Sequence, residues 1–308
     1  MITTIPIKNE KDIAVPDKTV LVLGYFDGVH KGHQKLFEVA TKASMKDYLP
    51  VVVMTFTESP KLALQPYHPD LMLHIVNQQE REQKLKWHGV EELFLLDFSS
   101  KFASLTAQEF FDTYIKALKP AIIVAGFDYT FGSDKKTADD LKDYFDGEII
   151  IVPPVEDEKG KISSTRIRQA ILDGDVREAG HLLGTPLPSR GMVVHGNARG
   201  RTIGYPTANL VLRDRTYMPA DGVYVVDIEV QRQKYRGMAS VGKNVTFDGE
   251  EARFEVNIFD FSDDIYGESV TVYWLDRVRD MVKFDSVEEL VDQLQKDEEI
   301  ARSWKTDD

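Results

Sequence analysis

The sequence has no cysteine among its 308 residues. Disulfides, thiolate-bound zinc, iron–sulfur clusters and thiol catalysis are therefore excluded together. The sequence also lacks any apolar run near the roughly 20 residues that a membrane helix needs, and residues 1–15 contain no apolar core of signal-peptide length. We therefore expect a cytoplasmic protein with no membrane partner.

Positive charge is scarce as well, since 38 Lys and Arg stand against 51 Asp and Glu, for a net charge of -13. Nucleic-acid binding needs clustered Lys and Arg for phosphate contacts, so no nucleic-acid partner is expected. A nucleotide site remains possible, because it needs only a few local donors. With 42% hydrophobic residues, a chain of this length can fill the cores of two domains.

The first part of the chain alternates apolar, β-rich segments with helical patterns. Continuously apolar segments are typical of parallel strands that are covered on both faces. Helices are predicted from about Gly32 to Met45, from Asn77, and from Thr106, where Glu109 completes a capping box. This order predicts a doubly wound parallel sheet, whose ligands bind beyond the carboxyl ends of the strands. The predicted strands are Val20–Phe26, Val51–Phe56, Leu93–Phe98, Ala121–Phe127 and Glu148–Val152.

The pattern changes at Gly184–Gly191, which has two prolines and two glycines and is predicted to be a linker. Short alternating strands follow, and a last helix is predicted near Ser286, with Glu289 as its capping partner. The fold class is therefore α/β, with a doubly wound domain over 1–184 and a small antiparallel β-barrel with a terminal helix over 185–308. The predicted barrel strands are Met192–His195, Val223–Val230, Arg236–Val241, Arg253–Phe261 and Ser269–Leu275.

The first predicted strand ends in GYFDGVHKGHQ (Gly24–Gln34), where His30 and His33 flank a glycine at the start of a helix. A helix N-terminus presents free N–H groups and a positive dipole, both of which favour a phosphate. Gly28 and Gly32 allow the backbone to approach a ligand closely, and the imidazoles can donate hydrogen bonds to it. Taken alone, the motif also fits a simple helix start capped by a histidine.

A second motif, ISSTRIR (Ile162–Arg168), places hydroxyl side chains before two arginines at another helix start. Ser164 and Thr165 can donate hydrogen bonds to an anion, and Arg166 and Arg168 can neutralise it. The pattern is equally compatible with an N-cap followed by surface arginines.

Together the two motifs resemble the adenylyl-transferring nucleotidyltransferases, whose fold is shared with class I aminoacyl-tRNA synthetases. With GFDYTFG (Gly126–Gly132) between them, they resemble the FMN adenylyltransferase module of bacterial bifunctional riboflavin kinase/FAD synthetases. The resemblance implies that Asp128 meets the nucleotide or the flavin. It implies that the ATP phosphates are held by the catalytic His30 and His33 and by Ser164, Thr165 and Arg168. The other nucleotide-binding residues that it implies are Gly24, Phe26, Asp27, Gly28 and Gly32.

The chemistry of adenylyl transfer fits these residue types. The phosphate of FMN has a second pKa near about 6, so it is a nucleophile at neutral pH without a general base. The site has to position the two phosphates and neutralise charge at the α-phosphate. Imidazole, hydroxyl and guanidinium groups, a helix N-terminus and Mg²⁺ can supply this.

The predicted barrel opens with GMVVHGNARGRTIGYPTANL (Gly191–Leu210). A P-loop is excluded, because one residue is missing between the glycines, Arg201 stands in place of lysine, and Pro206 blocks the helix that a P-loop must open. The segment instead resembles the riboflavin kinase signature, with Pro206–Asn209 at its centre.

The riboflavin kinase resemblance implies roles for several barrel residues. Thr207 and Asn209 would bind Mg²⁺, which favours oxygen ligands. Riboflavin attacks through a primary alcohol, a poor nucleophile, and Glu255 matches the family's general base. The loop residues implied to bind ATP are Arg199, Gly200, Arg201 and Pro206, together with Thr207 and Asn209.

Three departures from the family pattern stand out. Tyr25 replaces a usual Asn, Asn244 and Val245 replace a common Arg-Pro, and Asn257 replaces a His after the predicted base. The last two departures raise a question about kinase rate and flavin selectivity rather than about the fold.

The motifs therefore predict an ATP- and Mg²⁺-dependent enzyme that converts riboflavin to FMN and FMN to FAD. The alternatives are a single-activity FMN adenylyltransferase with a weakened kinase module, and a non-catalytic flavin-binding regulator, against which the intact motifs argue. A tRNA synthetase is disfavoured by the acidic charge and by the lack of an anticodon-binding region.

Overall fold

The computed structural model describes residues 2–7, 10–15, 17–196, 199–243 and 252–305, without the side chains of residues 10, 199, 243, 252 and 253. The described chain divides into two compact units, Met1–Ser164 and Thr165–Asp308. Among the helices within the described ranges, none is both long and apolar enough to cross a bilayer.

The first unit is built on a parallel sheet. Its strands are β1 (Thr3–Ile7), β2 (Thr19–Leu23), β3 (Val51–Phe56), β4 (Glu92–Leu96), β5 (Pro120–Gly126), β6 (Thr130–Phe131), β7 (Lys136–Thr137), β8 (Glu148–Val152), β9 (Glu156–Asp157) and β10 (Gly160–Lys161). Its helices are α1 (Lys31–Ser44), α2 (Lys61–Leu64), α3 (Gln78–Trp87), α4 (Ser100–Ala103) and α5 (Ala107–Phe110). Six strands form the sheet in the order β1-β4-β3-β2-β5-β8, and every pair is parallel.

The sheet is covered on both faces, as the apolar segments predict. The side chains of β2, all buried, alternate between two apolar cores. Leu21 and Leu23 join one core, and Val20 and Val22 join the other together with Phe37 of α1. The central strand is thus fixed in register, because a shift by one residue would exchange the two faces.

The five predicted parallel strands are confirmed, but β1 was not predicted. β1 contains Pro6 and lies at the edge of the sheet beside β4, a position where a proline is tolerated. The helix predicted from about Gly32 to Met45 is confirmed as α1. Phe37 is wholly buried, whereas Val39 is only half-buried.

The second unit is a barrel with helices around it. Its elements are α6 (Ser164–Leu172), which begins at the last residue of the first unit, α7 (Val176–Leu183), β11 (Leu187–Val194), α8 (Arg199–Thr202), β12 (Ala208–Leu212), β13 (Gly222–Val230), β14 (Gln233–Lys243), β15 (Ala252–Ile258), β16 (Ser269–Arg279) and α9 (Val287–Ser303). The strands close in the order β11-β12-β15-β14-β13-β16, and the pairs are antiparallel. The predicted antiparallel barrel is confirmed.

The prediction of a linker over Gly184–Gly191 is wrong in its second half, because β11 begins at Leu187. Pro188 pairs with β16, while pairing of β11 with β12 begins only at Gly191. The missing N–H of Pro188 therefore costs little free energy of strand pairing. Gly184 ends α7 in the left-handed conformation with φ of 73°, a common helix stop.

The terminal helix is found where it was predicted, with Ser286 as its cap, and only the reciprocal bond of the capping box is shifted by one residue. The Ser286 hydroxyl accepts the N–H of Glu289 at 3.1 Å, and the Glu289 carboxylate accepts the N–H of Asp285 at 3.2 Å. The α9 helix then packs against β13, β14 and β16.

Candidate active sites

The turn that follows β2 has an unusual backbone. Phe26 and Val29 have φ of 57° and 47°, in the left-handed region that non-glycine residues rarely adopt, and Gly28 has φ of 83°. The Phe26 ring is buried over Gly24, where a Cβ would lie 2.6 Å from the ring. Strain of this kind is typical of ligand sites, where the surrounding structure holds it in place.

Asp27 connects this turn to two other segments. Its buried carboxylate accepts the N–H of Ile75 at 3.0 Å. Its main-chain carbonyl accepts the hydroxyl of Ser164 at 3.1 Å. The start of the second motif therefore lies against the histidine-bearing turn.

His30 and His33 occupy the N-terminus of α1. Nδ1 of His30 accepts the N–H of His33 at 3.3 Å, and the two rings stack with centroids 3.6 Å apart. Nδ1 of His33 is buried and has no hydrogen-bond partner in the described part of the chain. His30 is thus the helix cap, as the simpler interpretation requires, while His33 keeps an unsatisfied polar atom suited to a ligand.

Burial lowers the pKa of His33 well below its ordinary value, and the charges of His30 and Lys161 lower it further. His33 is therefore neutral at pH 7. Gly32 helps to make the arrangement possible, since a Cβ there would lie 3.0 Å from the His30 ring and 3.4 Å from the carbonyl of Ile162.

Lowering the pH is expected to destabilise the protein in part through His33. The unfolded state takes up a proton at about pH 6.5 and the folded state does so only at lower pH, so the free energy of unfolding falls as the pH drops below about 6.5. His33→Gln cannot take up this proton, so it should reduce the decrease in the free energy of unfolding by up to about 1.4 kcal/mol per pH unit. Urea unfolding at about pH 7.5 and about pH 5.5 measures it. His68→Gln, at a side chain that is 68% exposed, is the control, and an equal pH dependence in wild type and His33→Gln would contradict the prediction.

Lys161 is a candidate site residue that the sequence did not single out. Its ammonium group pairs with the carboxylate of Asp128 at 2.5 Å and lies 4.5 Å from the centre of the Phe127 ring. It also acts on the pKa of His33. Lys161 thus lies near both Asp128 and His33. Asp128 is therefore close to the histidine turn, and Lys161 adds a positive charge to this region.

The remaining residues of the second motif lie at the start of α6. Thr165 and Arg168 are in its first two turns, in the second compact unit. Arg166 donates from Nε to the Glu178 carboxylate at 3.1 Å, which fits the interpretation of this arginine as structural. The roles of Thr165 and Arg168 stay predictions.

The kinase motif folds onto the neighbouring strands β12 and β15. Asn209 pairs directly with Glu255, so the two side chains share one face of the sheet. The Thr207 hydroxyl donates to the Glu255 carboxylate at 3.1 Å. A hydroxyl, an amide oxygen and a carboxylate are thus brought together, a set of oxygen donors that fits Mg²⁺.

Glycines hold the preceding loop against this motif. A Cβ at Gly196 would clash with the Asn209 amide, and a Cβ at Gly200 would clash with the carbonyl of Tyr205. The close approach explains the glycine-rich sequence before the motif. The side chain of Arg199 lies outside the described atoms, and so do residues Asn244 and Val245.

A cleft of about 470 Å³ opens beside the motif. This is within the range of small-molecule sites. It is lined by Val193, Arg201, Pro206, Thr207, Ala208, Val256, Ile258 and the 261–266 segment. Glu255 lies on the other face of β15 from Val256 and Ile258. Thr207 links the two, because it lines the cleft and also binds Glu255.

Two of the departures from the family pattern have visible contacts. The buried Asn257 amide donates to the carbonyl of Pro206 at 2.6 Å, so this asparagine holds the kinase motif. The Tyr25 hydroxyl lies 3.3 Å from Nδ1 of His74, whose Nε2 lies 3.1 Å from the Glu58 carboxylate. The side chains at both positions therefore form hydrogen bonds in the folded chain.

With the histidine turn in one unit and the kinase motif in the other, the molecule is a transferase built from a nucleotidyltransferase-like sheet domain and a kinase-like barrel. The family model described as FAD synthetase matches residues 12–166, and the one described as Riboflavin kinase matches residues 183–305. The chain belongs to the family of bifunctional riboflavin kinase/FMN adenylyltransferases.

Named relatives are similar along most of their length. The Bifunctional riboflavin kinase/FMN adenylyltransferase of Listeria monocytogenes is 39% identical over 289 residues, and that of Bacillus subtilis is 39% identical over 292 residues. Both alignments cover 92% of this chain and 92% of the relative. A solved structure titled "Crystal Structure of Macrolide-efflux Protein from Streptococcus pneumoniae" is 81% identical, covers 99% of this chain and 100% of its own, and has a TM-score of 0.95.

Proposed function

We propose that this chain converts riboflavin to FMN and FMN to FAD, with ATP as co-substrate in both reactions. The observation that carries the proposal is the contact of Thr207 with Glu255, opposite Asn209, in a chain whose other unit holds the histidine turn. Membership of the family favours two activities over a single adenylyltransferase or a flavin-binding regulator. These side chains and the family support the proposal, and the efflux named for the solved structure does not enter it.

In the kinase reaction, Glu255 is proposed as the base for the primary alcohol of riboflavin. The alcohol oxygen attacks the γ-phosphate of ATP, its proton passes to Glu255, and ADP leaves. Mg²⁺ would be held by the oxygens of Thr207 and Asn209 and would neutralise charge on the phosphates. Arg199, Gly200, Arg201 and Pro206 are proposed to cover ATP, which the position of Arg201 and Pro206 on the cleft supports.

In the adenylyl transfer, a phosphate oxygen of FMN attacks the α-phosphate of ATP and pyrophosphate leaves. No base is needed, so the site supplies position and positive charge. His30, His33, Thr165 and Arg168 are proposed to bind the triphosphate, with Ser164 beside the turn and Lys161 as a further cation. The N-terminus of α1 adds its dipole. Gly24, Phe26, Asp27, Gly28, Gly32 and Asp128 are proposed to shape the nucleotide and flavin site.

The substrates are thus small molecules, and we propose a cytoplasmic enzyme with no nucleic-acid partner. The net charge of -13 supports this, because it opposes contact with a phosphate backbone. Incubation of the purified chain with riboflavin, ATP and Mg²⁺, followed by separation of the flavins, tests the function. FMN and FAD should both appear. FAD formation from FMN alone would favour the single-activity enzyme, and no turnover of either flavin would favour the regulator.

We also propose that the two activities divide after Gly184, into 1–184 and 185–308. The order of the motifs supports this boundary. The compact units are divided at a different point, after Ser164. Helix α7 packs against β11 and β16 of the barrel and belongs to the second compact unit. Helix α6, which carries the second motif, and helix α7 therefore belong to the same compact unit as the barrel, although the proposed boundary places both helices in the first domain.

A barrel fragment that begins at residue 185 is expected to be much less stable than one that begins at residue 165. The shorter fragment loses α7, whose Leu182 and Leu183 are fully buried. Burial of each large apolar side chain contributes about 1.5–3 kcal/mol, so the melting temperature should fall by about 10 °C or more. Calorimetry of both fragments measures this. Equal melting temperatures would show that the barrel does not need these helices.

A further inference from the structure

Helix α6 carries part of the proposed adenylyl-transfer site, yet from Thr165 onwards it belongs to the same compact unit as the barrel. Thr165 and Arg168, near its start, are proposed to bind the triphosphate of ATP. Ile171, near its end, is wholly buried. The contacts at the end of the helix therefore decide where its two anion-binding side chains stand relative to the barrel.

Arg277 of β16 links the end of α6 to a loop of the barrel. Its Nη1 donates to the main-chain carbonyl of Asp173, the first residue after α6, at 3.3 Å. Its Nη2 donates to the main-chain carbonyl of Asp221, just before β13, at 2.7 Å. Because a guanidinium group is planar and its donors form a rigid fork, one side chain fixes the separation of the two carbonyls.

A second pair of contacts joins the same two segments. The N–H of Ala220 donates to the carbonyl of Ile171 at 3.3 Å. The carbonyl of Ala220 accepts the hydroxyl of Tyr224 of β13 at 2.5 Å, and the Tyr224 side chain is wholly buried. The loop before β13 is thus anchored in the barrel and contacts the last turn of α6.

Gly174, at the corner between α6 and α7, permits this close approach. Its φ of 77° lies in the left-handed region that favours glycine. A Cβ at this position would lie 2.7 Å from the Tyr224 hydroxyl and 3.0 Å from the guanidinium carbon of Arg277. The corner that follows α6 therefore lies directly against β13 and β16.

We propose that Arg277 is a positioning residue for adenylyl transfer, although it lies on a strand of the kinase barrel. Arg277 holds the end of α6 and so sets Thr165 and Arg168 for the triphosphate. Asp173 follows Arg168 by roughly one and a half helical turns, so a displacement of the helix end is carried to the arginine. Arg277 acts through α6 and is assigned no contact with the reacting atoms. This role rests on the proposed adenylylation of FMN.

Arg277→Gln tests this role, because glutamine is too short to hold both carbonyls and carries no charge. The KM for ATP in FAD formation from FMN should rise about 10-fold, the usual effect of losing a hydrogen bond from a charged donor. The kcat should change less, since His30 and His33 remain in place. FMN formation from riboflavin is the internal control and should keep its wild-type rate, because β16 is a neighbour of neither β12 nor β15 in the barrel.

Three further variants separate the carbonyl contacts from other effects of the arginine. Arg277→Lys keeps the charge but has one donor group, so its KM for ATP should lie between those of wild type and Arg277→Gln. Asp280→Asn removes the ion pair of Arg277 with an exposed carboxylate at 2.9 Å and should behave as wild type. Arg213→Gln, at a barrel arginine that donates to the Ser269 hydroxyl at 2.8 Å, should also behave as wild type.

Hydrogen exchange gives a measurement that does not depend on turnover. The amides of residues 168–174 should exchange faster in Arg277→Gln than in wild type, whereas those of α9 should not change. A wild-type KM for ATP in Arg277→Gln, or an equal loss of FMN and FAD formation, would overturn the inference. Unchanged exchange over 168–174 would refute the support of α6 by Arg277, whereas a wild-type chain that forms no FAD from FMN would refute the proposed adenylyltransferase function.

Discussion

Glu255→Gln is expected to lower FMN formation from riboflavin by about 10²–10⁴-fold, the usual contribution of a general base. Glutamine fills the same space and can still accept the hydrogen bond that Thr207 donates at 3.1 Å, so the motif should keep its shape. The substitution removes the negative charge of the side chain and its ability to take a proton. Flavins are separated and quantified at saturating ATP and Mg²⁺, which isolates the chemical step.

Two measurements distinguish a specific loss of the kinase reaction from a general loss of structure. FAD formation from supplied FMN should persist in Glu255→Gln, because that reaction is assigned to the other unit. Glu288→Gln, at an exposed position in the first turn of α9, is the matched control and should leave both rates unchanged. A near wild-type rate of FMN formation in Glu255→Gln would contradict the assignment of Glu255 as the general base.

His30→Ala combined with His33→Ala is expected to abolish FAD formation and to leave FMN formation nearly intact. Removal of one donor that stabilises transition-state charge costs about 10²–10³-fold in rate. His33 has a buried nitrogen without a hydrogen-bond partner in the described residues, so a ligand would satisfy an atom that the fold leaves unsatisfied. The rate of FAD formation from FMN and ATP measures the loss.

His30 also caps α1, and loss of a cap costs about 1 kcal/mol. His30→Asn separates the two roles, because asparagine caps a helix well but does not replace the imidazole. It should keep the wild-type melting temperature and lose FAD formation. His68→Asn, at an exposed histidine whose side chain also accepts a backbone N–H, should change neither. An unchanged rate of FAD formation in the double variant would refute the N-terminal assignment.

The sheet and the barrel could be predicted because their strands carry local signals. The strands of the sheet interior are continuously apolar, and the helix starts at Asn77, Thr106 and Ser286 carry capping residues. The strand β1 was missed because Pro6 and its edge position weaken that signal. The strand β12 was missed because its residues were interpreted only as part of a motif.

The contacts within the sites could not be predicted, because they join residues far apart in the chain. Lys161 lies 33 positions from Asp128, and Thr207 lies 48 positions from Glu255. No local sequence pattern predicts that a single lysine forms an ion pair of this kind. The packing of α7 on the barrel was missed for the same reason, since the glycine and prolines after it indicate a break in secondary structure but not which unit the helix packs on.

The contact of Asn257 was not predicted from the sequence. There, its replacement of a histidine put the kinase rate in question, and that effect stays a prediction. In the folded chain its amide donates to the carbonyl of Pro206 and so contacts the kinase motif. A short polar side chain on a strand thus has a structural role that only the folded neighbours define.

Mixing the two defective enzymes tests the central claim, two activities at two sites of one chain. Glu255→Gln and the His30→Ala, His33→Ala double variant are each incubated with riboflavin, ATP and Mg²⁺, alone and together. We predict that neither variant alone makes FAD from riboflavin, and that the mixture does, because FMN released by one is used by the other. Loss of both half-reactions in either variant, with no FAD from the mixture, would contradict the account.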